Sequence, residues 1–591
     1  MRSDSALTEL TGDQGASARF VRWSCPRRVV LAIAVGLLLV GTGLRFWQLD
    51  RMFAHIDDLF PIAGPYVMNQ GAPKHVTVPY TDGRVALTVD SSGIKHNPFL
   101  YAAYVSTATY APLQFLTYPL VLSGDYSYRE FLFRGRLPSA IFGSLVLAVF
   151  LWTYLAYVPA LDLPAMLGLA VLSFSLLNIT YSQQSISYAI GVLGAVVLIG
   201  LLGRMAATPT TLRRLLGWAA VCAAITWANY QLGVLTGLAY SALALTELRR
   251  DGVAGFFALC RRYAVSVAVF ALLVLPLAIP LHDKSSGVGQ FKGLVGARQF
   301  FPPSTGDGVV EPAARAARYA ASAAYRLVET DVLFALESPW AAACVSVLFV
   351  LVLAGAWSVM RRRDASGRAL AVFALCLTLL LGVLNGFGQF PISPTRHVLV
   401  FSPLIALLMS LGARAFRPIA IRDWCVSGLL IGVMALFAVN YPAFRAARTD
   451  PFDEQRFAAL LDQHRIDTIV GYGSTWQPAL MFRTGSRHIT FIDLDAIVRK
   501  QQDSLIQLPE TPFLLVSQTL PIDQYSSRYP LVGSPLTFPN HRVRELSRIE
   551  SHTEIGISNA VKLGGNGLYL SIAVPRCASG EGNEALTCAQ F

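Results

Sequence analysis

The stretch Val29-Val-Leu-Ala-Ile-Ala-Val-Gly-Leu-Leu-Leu-Val-Gly-Thr-Gly-Leu-Arg-Phe-Trp-Gln48 carries a single charge, Arg45, in an otherwise apolar run. At about 1.5 Å of rise per residue, a helix of this length reaches roughly 30 Å, the thickness of a bilayer's hydrocarbon core. Arg19, Arg22, Arg27 and Arg28 precede it and no small-residue cleavage site follows. The run therefore reads as a retained anchor, with residues 1–28 forming a cytoplasmic tail. Ten further apolar runs follow, at about 137–157, 163–180, 186–203, 215–230, 232–247, 263–281, 338–360, 369–387, 397–413 and 424–441. The composition agrees. Of 591 residues, 54% are hydrophobic and 14% charged, against roughly 25% charged in a soluble domain. So few charges cannot cover a folded surface in water, which excludes a soluble globular enzyme, and the high apolar content excludes a disordered chain.

The fold expected is an α-helical polytopic membrane protein with about eleven transmembrane helices. If the N-terminus is inside, fourteen arginines fall in inner loops: Arg204, Arg213, Arg214, Arg249, Arg250, Arg261, Arg262, Arg361, Arg362, Arg363, Arg368, Arg414, Arg417 and Arg422. The short outer loops hold only Arg396. That asymmetry sets the orientation and gives the +12 net charge a use other than nucleic-acid binding. The transmembrane domain is then 29–441, with two long outer segments at 49–136 and 282–337. Both contain several lysines and arginines, which weakens the asymmetry there without reversing it. Segment 282–337 is either a lid or acceptor groove or a spacer.

An odd number of spans leaves residues 442–591 outside. There Asp467-Thr-Ile-Val-Gly471, His488-Ile-Thr-Phe-Ile-Asp493 and Pro512-Phe-Leu-Leu-Val-Ser517 alternate with helical stretches at 452–464 and 494–505, which predicts a C-terminal extracytoplasmic α/β domain. Gly471-Tyr-Gly473 lacks the third glycine of a dinucleotide fingerprint and reads as a turn. Cys577 and Cys588 can bridge in an oxidising compartment; the other six cysteines lie in or near spans and read as packing residues.

Chemistry is sought in the outer segments. His55-Ile-Asp57-Asp58-Leu-Phe-Pro61 stands about ten residues beyond the first span. The pair is either the acidic cap of a short surface helix or a general base held at the lipid headgroups, with Asp58 orienting or binding a metal. Residues 110–123 are apolar, aromatic and broken by proline, which suits a helix lying in the interface. Arg134 and Arg136 follow at the outer mouth of the second span, where the positive-inside tendency disfavours arginine. Snorkelling explains either one alone, whereas an anionic partner such as a phosphate explains both.

The acidic pair, the Pro112-Leu-Gln-Phe segment, Gly124 and Arg136-Leu-Pro-Ser-Ala-Ile-Phe-Gly143 together resemble the polyprenyl-phosphate-sugar-dependent glycosyltransferases of the GT-C superfamily. Protein O-mannosyltransferases and the aminoarabinose transferase of lipid A are relatives. Phe390-Pro-Ile-Ser-Pro394-Thr-Arg396-His397 is similar to a Pro/Arg run that enters a late span from outside in many members.

The resemblance implies a membrane glycosyltransferase that moves a sugar from a polyprenyl-phosphate donor to an acceptor hydroxyl on an envelope glycan, lipid or protein, at the outer face of the cytoplasmic membrane. It puts the catalytic base on Asp57, beside Asp58. Arg136 and Arg396, or His397 and Arg134, would hold the leaving phosphate, whose developing charge calls for fixed cations. Tyr110-Ala111 stands where several relatives carry a charged residue and a second proline, so that role is either unfilled or moved to His96 or Lys95, whose other reading is as surface-loop residues. Ser182-Gln-Gln-Ser185 and Tyr188 lie at the outer end of the third and fourth spans, a corner that borders the cavity in relatives; the other reading is core polar packing. No cofactor is expected; a divalent metal shared by Asp57 and Asp58 is disfavoured because no further oxygen ligand stands nearby. The alternatives are a transporter or flippase, which would line a midplane path with ionisable residues, and a non-enzymatic scaffold. Nearly all the charges lie at span ends, which argues against transport.

Overall fold

The computed structural model describes residues 26–52, 77–80, 83–86, 113–121, 128–252, 256–277, 328, 339–386, 396–448, 459, 461–472, 490–493, 513–518, 541–551 and 566–575. Lipid offers the backbone no hydrogen-bond partner, so an apolar run must close its bonds within itself as a helix. All eleven runs do so. After α1 (Arg27–Phe46) and a hairpin of β1 (Thr77–Tyr80) and β2 (Gly83–Ala86) come α2 (Tyr128–Tyr154), α3 (Leu163–Phe174), α4 (Leu176–Ser182) and α5 (Tyr188–Ala207). Then follow α6 (Leu212–Ala228), α7 (Gln231–Asp251), α8 (Phe256–Val274), α9 (Pro339–Arg361), α10 (Ala365–Gly386), α11 (Ser402–Ala415) and α12 (Ile419–Arg448).

Among the described residues eight helices are long and apolar enough to cross a membrane, or nine when α3 and α4 count as one bent span. The remaining two runs are also helical. However, α6 has only 17 residues, and α7 carries Gln231, Thr236, Thr246 and Glu247 along its length.

Three expectations are corrected. The run 163–180 is not one helix: it breaks at Ser175 and turns by 54°. Ser175 closes α3 and caps α4, its hydroxyl accepting from the Asn178 N–H at 3.1 Å. The seventh span begins earlier than 263, so Arg261 and Arg262 lie within α8 and not in a loop before it. The run from 397 opens as a 3-10 helix over Arg396–Phe401 before α11 begins.

Every residue of α3 is buried, as befits a helix that is apolar all round. It packs against α1, α2, α11 and α12. The outer helices turn apolar side chains outward, including Leu39, Val350, Leu353, Leu379 and Val439, as lipid contact requires. α9 and α11 meet backbone to backbone. A Cβ on Gly355 would run into the Leu408 carbonyl and one on Gly412 into the Leu351 carbonyl. Small residues let membrane helices approach this closely.

In the C-terminal segment β3 (Thr468–Tyr472), β4 (Thr490–Asp493), β5 (Phe513–Gln518), β6 (His541–Ser551) and β7 (Asn566–Pro575) form one sheet in the order β4-β3-β5-β7-β6. β3 pairs in parallel with β4 and β5; β7 pairs antiparallel with β5 and β6. The three runs read as strands occupy β3, β4 and β5. Gly471 lies inside β3, opposite Asp493 and Val516, and not in a turn after it. The stretch 494–505 and Cys577 and Cys588 lie outside the described residues. Cys260 and Cys425 are exposed, so of the cysteines in spans these two face outward and are not packed. β1 packs against β4, which brings the described hairpin of the first long segment onto the C-terminal sheet.

Candidate active site at the outer ends of α1, α2 and α5

We call the end of the bundle from which α1 emerges the outer end, following the arginine asymmetry. The chain leaving α1 there is fastened from three directions. Arg136, fully buried on α2, donates through Nη1 to the carbonyls of Leu49 at 2.8 Å and Met52 at 2.9 Å. Gln183, just past α4, donates to the Leu44 carbonyl at 2.8 Å and the Trp47 carbonyl at 3.4 Å. Arg445, on the last turn of α12, reaches the Trp47 carbonyl at 3.1 Å, Gln48 Oε1 at 2.6 Å and the Met52 sulfur at 2.8 Å. Buried loop carbonyls must find donors, and arginine supplies several in a fixed fork. Burial pushes the Arg445 guanidinium below its ordinary pKa, and the like charges of Arg136 and Arg51 act the same way, while Asp50 opposes them. The clasped stretch ends at Met52, five positions before Asp57.

Beside this clasp lies a second polar group. Gln114, in a 3-10 turn over Gln114–Thr117, donates to the Tyr118 hydroxyl at 2.8 Å and to Ser139 at 2.6 Å. The Tyr118 hydroxyl donates to the Ser185 carbonyl at 2.6 Å. The described part of the 110–123 segment is thus a 3-10 turn and one short helix, Tyr118–Val121. It is tied to the bundle by the Leu113 N–H, which donates to the Trp227 carbonyl at 3.0 Å. Gln114 Oε1 and Gln183 Oε1 are buried and accept from none of the described residues.

The structure sorts the expected site residues. Arg136 joins the clasp. Arg134 stands two positions back on α2, hence on the other side of the helix, and pairs with Glu130 at 3.0 Å on the exposed face. Tyr188 opens α5, buried, with its ring edge-on to Tyr181 at 5.1 Å. Arg396 and His397 begin the 3-10 helix that packs on α4 and α5, so the second motif comes to the same corner as Ser182–Tyr188; of these two residues only the backbone is described. Asp57, Asp58, His96 and Tyr110 lie outside the described residues.

Two residues that sequence reading passed over belong here. One is Arg445. The other is Arg45, 1% exposed in the last turn of α1. It donates to Gly41 at 2.7 Å, Leu172 at 2.9 Å and Ser173 at 3.4 Å. Leu172 and Ser173 sit where α3 breaks, so their carbonyls have lost helical partners, and Arg45 replaces them. An arginine inside an apolar run was the available signal. Gly143 completes the corner, since a Cβ there would strike Ser182. Among the described residues no three His, Cys, Asp or Glu side chains gather as metal ligands would.

No family model and no curated protein matches the sequence. Over most of its length the chain is similar to several solved structures. An oligosaccharyltransferase from Archaeoglobus fulgidus, in complex with zinc and sulfate, is 10% identical over 84% of this chain and 68% of its own, with a TM-score of 0.47. ArnT from Cupriavidus metallidurans bound to undecaprenyl phosphate is 11% identical over 92% of this chain and 97% of its own, with a TM-score of 0.44. The arabinofuranosyltransferase AftD from Mycobacteria is 14% identical over 95% of this chain and 40% of its own, with a TM-score of 0.42. Likeness at this level assigns no residue, sugar or acceptor to the present chain.

Proposed function

We propose that this chain is a multi-pass glycosyltransferase of the cytoplasmic membrane. It would take a sugar from a polyprenyl-phosphate donor at the outer face and transfer it to an acceptor hydroxyl of an envelope glycan, lipid or protein. The observation that carries the reading is the convergence at one corner. The helix bearing Arg136 and the 3-10 helix that starts at Arg396 both pack on α5, beside the clasped chain that leads to Asp57. Elements that carry motifs some 260 positions apart thus pack on one helix, which supports the reading.

In the proposed reaction the acceptor oxygen forms a bond to the anomeric carbon as the bond from that carbon to the phosphate oxygen breaks. Asp57 takes the acceptor's proton, and the polyprenyl phosphate leaves with the electron pair. A positioned carboxylate contributes typically about 10²–10⁴-fold. Asp58 orients Asp57. Arg396 or His397 meets the charge on the leaving phosphate, with Arg136 adding its field from the buried side; Arg134, paired with Glu130 on the other side of α2, drops out of this role. Tyr188, His96 and Tyr110 are assigned to substrate contact. Gln114 Oε1 and Gln183 Oε1 remain as acceptors suited to sugar hydroxyls. Asp57 and Asp58 alone supply too few oxygens to hold a divalent ion in an all-protein site, so the proposal has no metal step.

The test is mass spectrometry of envelope glycans and glycolipids from cells carrying Asp57→Asn beside wild type. One sugar missing from one acceptor, at equal protein level, supports the reading. An unchanged glycan profile in a strain where this chain is the sole source of the activity defeats it and leaves transport or scaffolding.

A further inference from the structure

At the opposite end of the bundle the last turns of α9 and α11 and the α2–α3 turn enclose a cleft of about 250 Å³ lined by Tyr157, Ser358, Arg362, Leu411 and Arg414. The span of α2 between Arg136 and this end is about 27 Å, so the cleft lies at the other membrane surface. We propose that it binds the phosphate headgroup of an anionic phospholipid from the leaflet on that face.

The arginines are held in place from behind. Arg362 donates to the Tyr157 carbonyl at 2.7 Å and to Asp364 at 2.7 Å, and Arg414 pairs with Asp162, which caps α3. Each guanidinium has five N–H donors. Among the described residues the bonds of Arg362 use Nε and Nη2 and that of Arg414 uses Nη1, on two residues that border the cleft. The surrounding charge favours an anion: residues 155–162, 361–368 and 414–423 hold seven arginines against three aspartates. An arginine fork suits a phosphate, and basic pockets between membrane helices at this depth recognise lipid headgroups. A lipid is favoured over free phosphate by the place of the cleft, at the ends of three helices long and apolar enough to cross a membrane, where the headgroups of that leaflet would stand. On its face away from the cleft α9 exposes Val350, Leu353, Trp357 and Met360, each about half exposed. Arg361 covers the Trp357 ring at 4.3 Å, an arrangement suited to the membrane–water boundary.

The full chain, reconstituted in nanodiscs of equal phosphatidylglycerol and phosphatidylcholine and then extracted in mild detergent, is analysed by native mass spectrometry. Wild type is expected to keep phosphatidylglycerol in preference to phosphatidylcholine. Ser358→Phe fills the cleft without touching either ion pair, and Arg414→Gln removes one fork. Each should lower that retention by roughly tenfold, the scale of one lost charge-assisted hydrogen bond. Calorimetry with inorganic phosphate should show no binding to the detergent-solubilised chain at millimolar concentration. Equal retention of the two lipids by wild type, or retention in both variants equal to wild type, overturns the proposal. Saturable binding of phosphate alone converts the cleft into a free-anion site and overturns the lipid assignment. Because the cleft is at the opposite end of α2 from Arg136, none of these outcomes depends on the glycosyltransferase reading.

Discussion

Arg136 and Arg445 do at the outer surface what a loop alone could not: they satisfy the backbone of residues 47–52 where water is scarce. Replacing Arg136 by Ala strands two buried carbonyls, a cost of roughly 1–3 kcal/mol each, and releases the chain that leads to Asp57. If that chain sets the position of the base, sugar transfer should fall by on the order of 10²-fold even where the protein still folds, because small misplacements are amplified in the transition state. Arg445→Gln keeps one amide donor and should lose less. Steady-state transfer rates of the two variants check the ranking. On the other face, burial would raise the Asp364 carboxyl, but the Arg362 guanidinium at 2.7 Å and the Gly367 N–H at 3.0 Å outweigh it and hold its pKa below the ordinary value. Stability from a lowered carboxyl is present above about pH 4 and is lost as pH falls through the lowered value. Thermal unfolding of Asp364→Asn should therefore come earlier than wild type at pH 7, and the two should converge in acid.

The helices were legible because lipid admits few alternatives: a run of some twenty apolar residues closes its own bonds or does not enter. What the pattern could not give was the break at Ser175, since Leu163–Ser182 is apolar on both sides of it and a single serine hydroxyl supplies the cap. Nor did it give β6 and β7. The bulge between Glu545 and Ser547 shifts the period-two alternation of the β6 sequence, so its inward residues do not recur at even spacing. The partners of each helix were equally hidden, because in lipid the helix interface is marked by small residues and not by greater hydrophobicity. Gly355 and Gly412 are such marks. Gly355→Leu should push α9 off α11, costing roughly 3 kcal/mol or more, and should show as early thermal aggregation in detergent; the same change at Gly382, which has open space around it, should not.

At the scale of the whole molecule, the arginine asymmetry of the sequence and the packing of β1 on β4 support the proposed orientation. A phosphatase reporter fused after residue 448 should be active outside the cytoplasm, and one fused in the 361–368 loop should be silent. The candidate site was legible only as motifs. Arg136, Arg396 and the acidic pair could be named from their motifs and their order, whereas Arg45 and Arg445 act largely through backbone carbonyls of α1, α3 and the chain after α1, which no side-chain pattern records. The account as a whole rests on a carboxylate at Asp57 driving sugar transfer from a lipid phosphate. Its most direct measurement is single-turnover transfer of a radiolabelled sugar from a polyprenyl-phosphate donor by the purified chain in nanodiscs, wild type against Asp57→Asn. The account predicts a loss of at least about 10²-fold with donor binding retained; transfer by Asp57→Asn at the wild-type rate contradicts it.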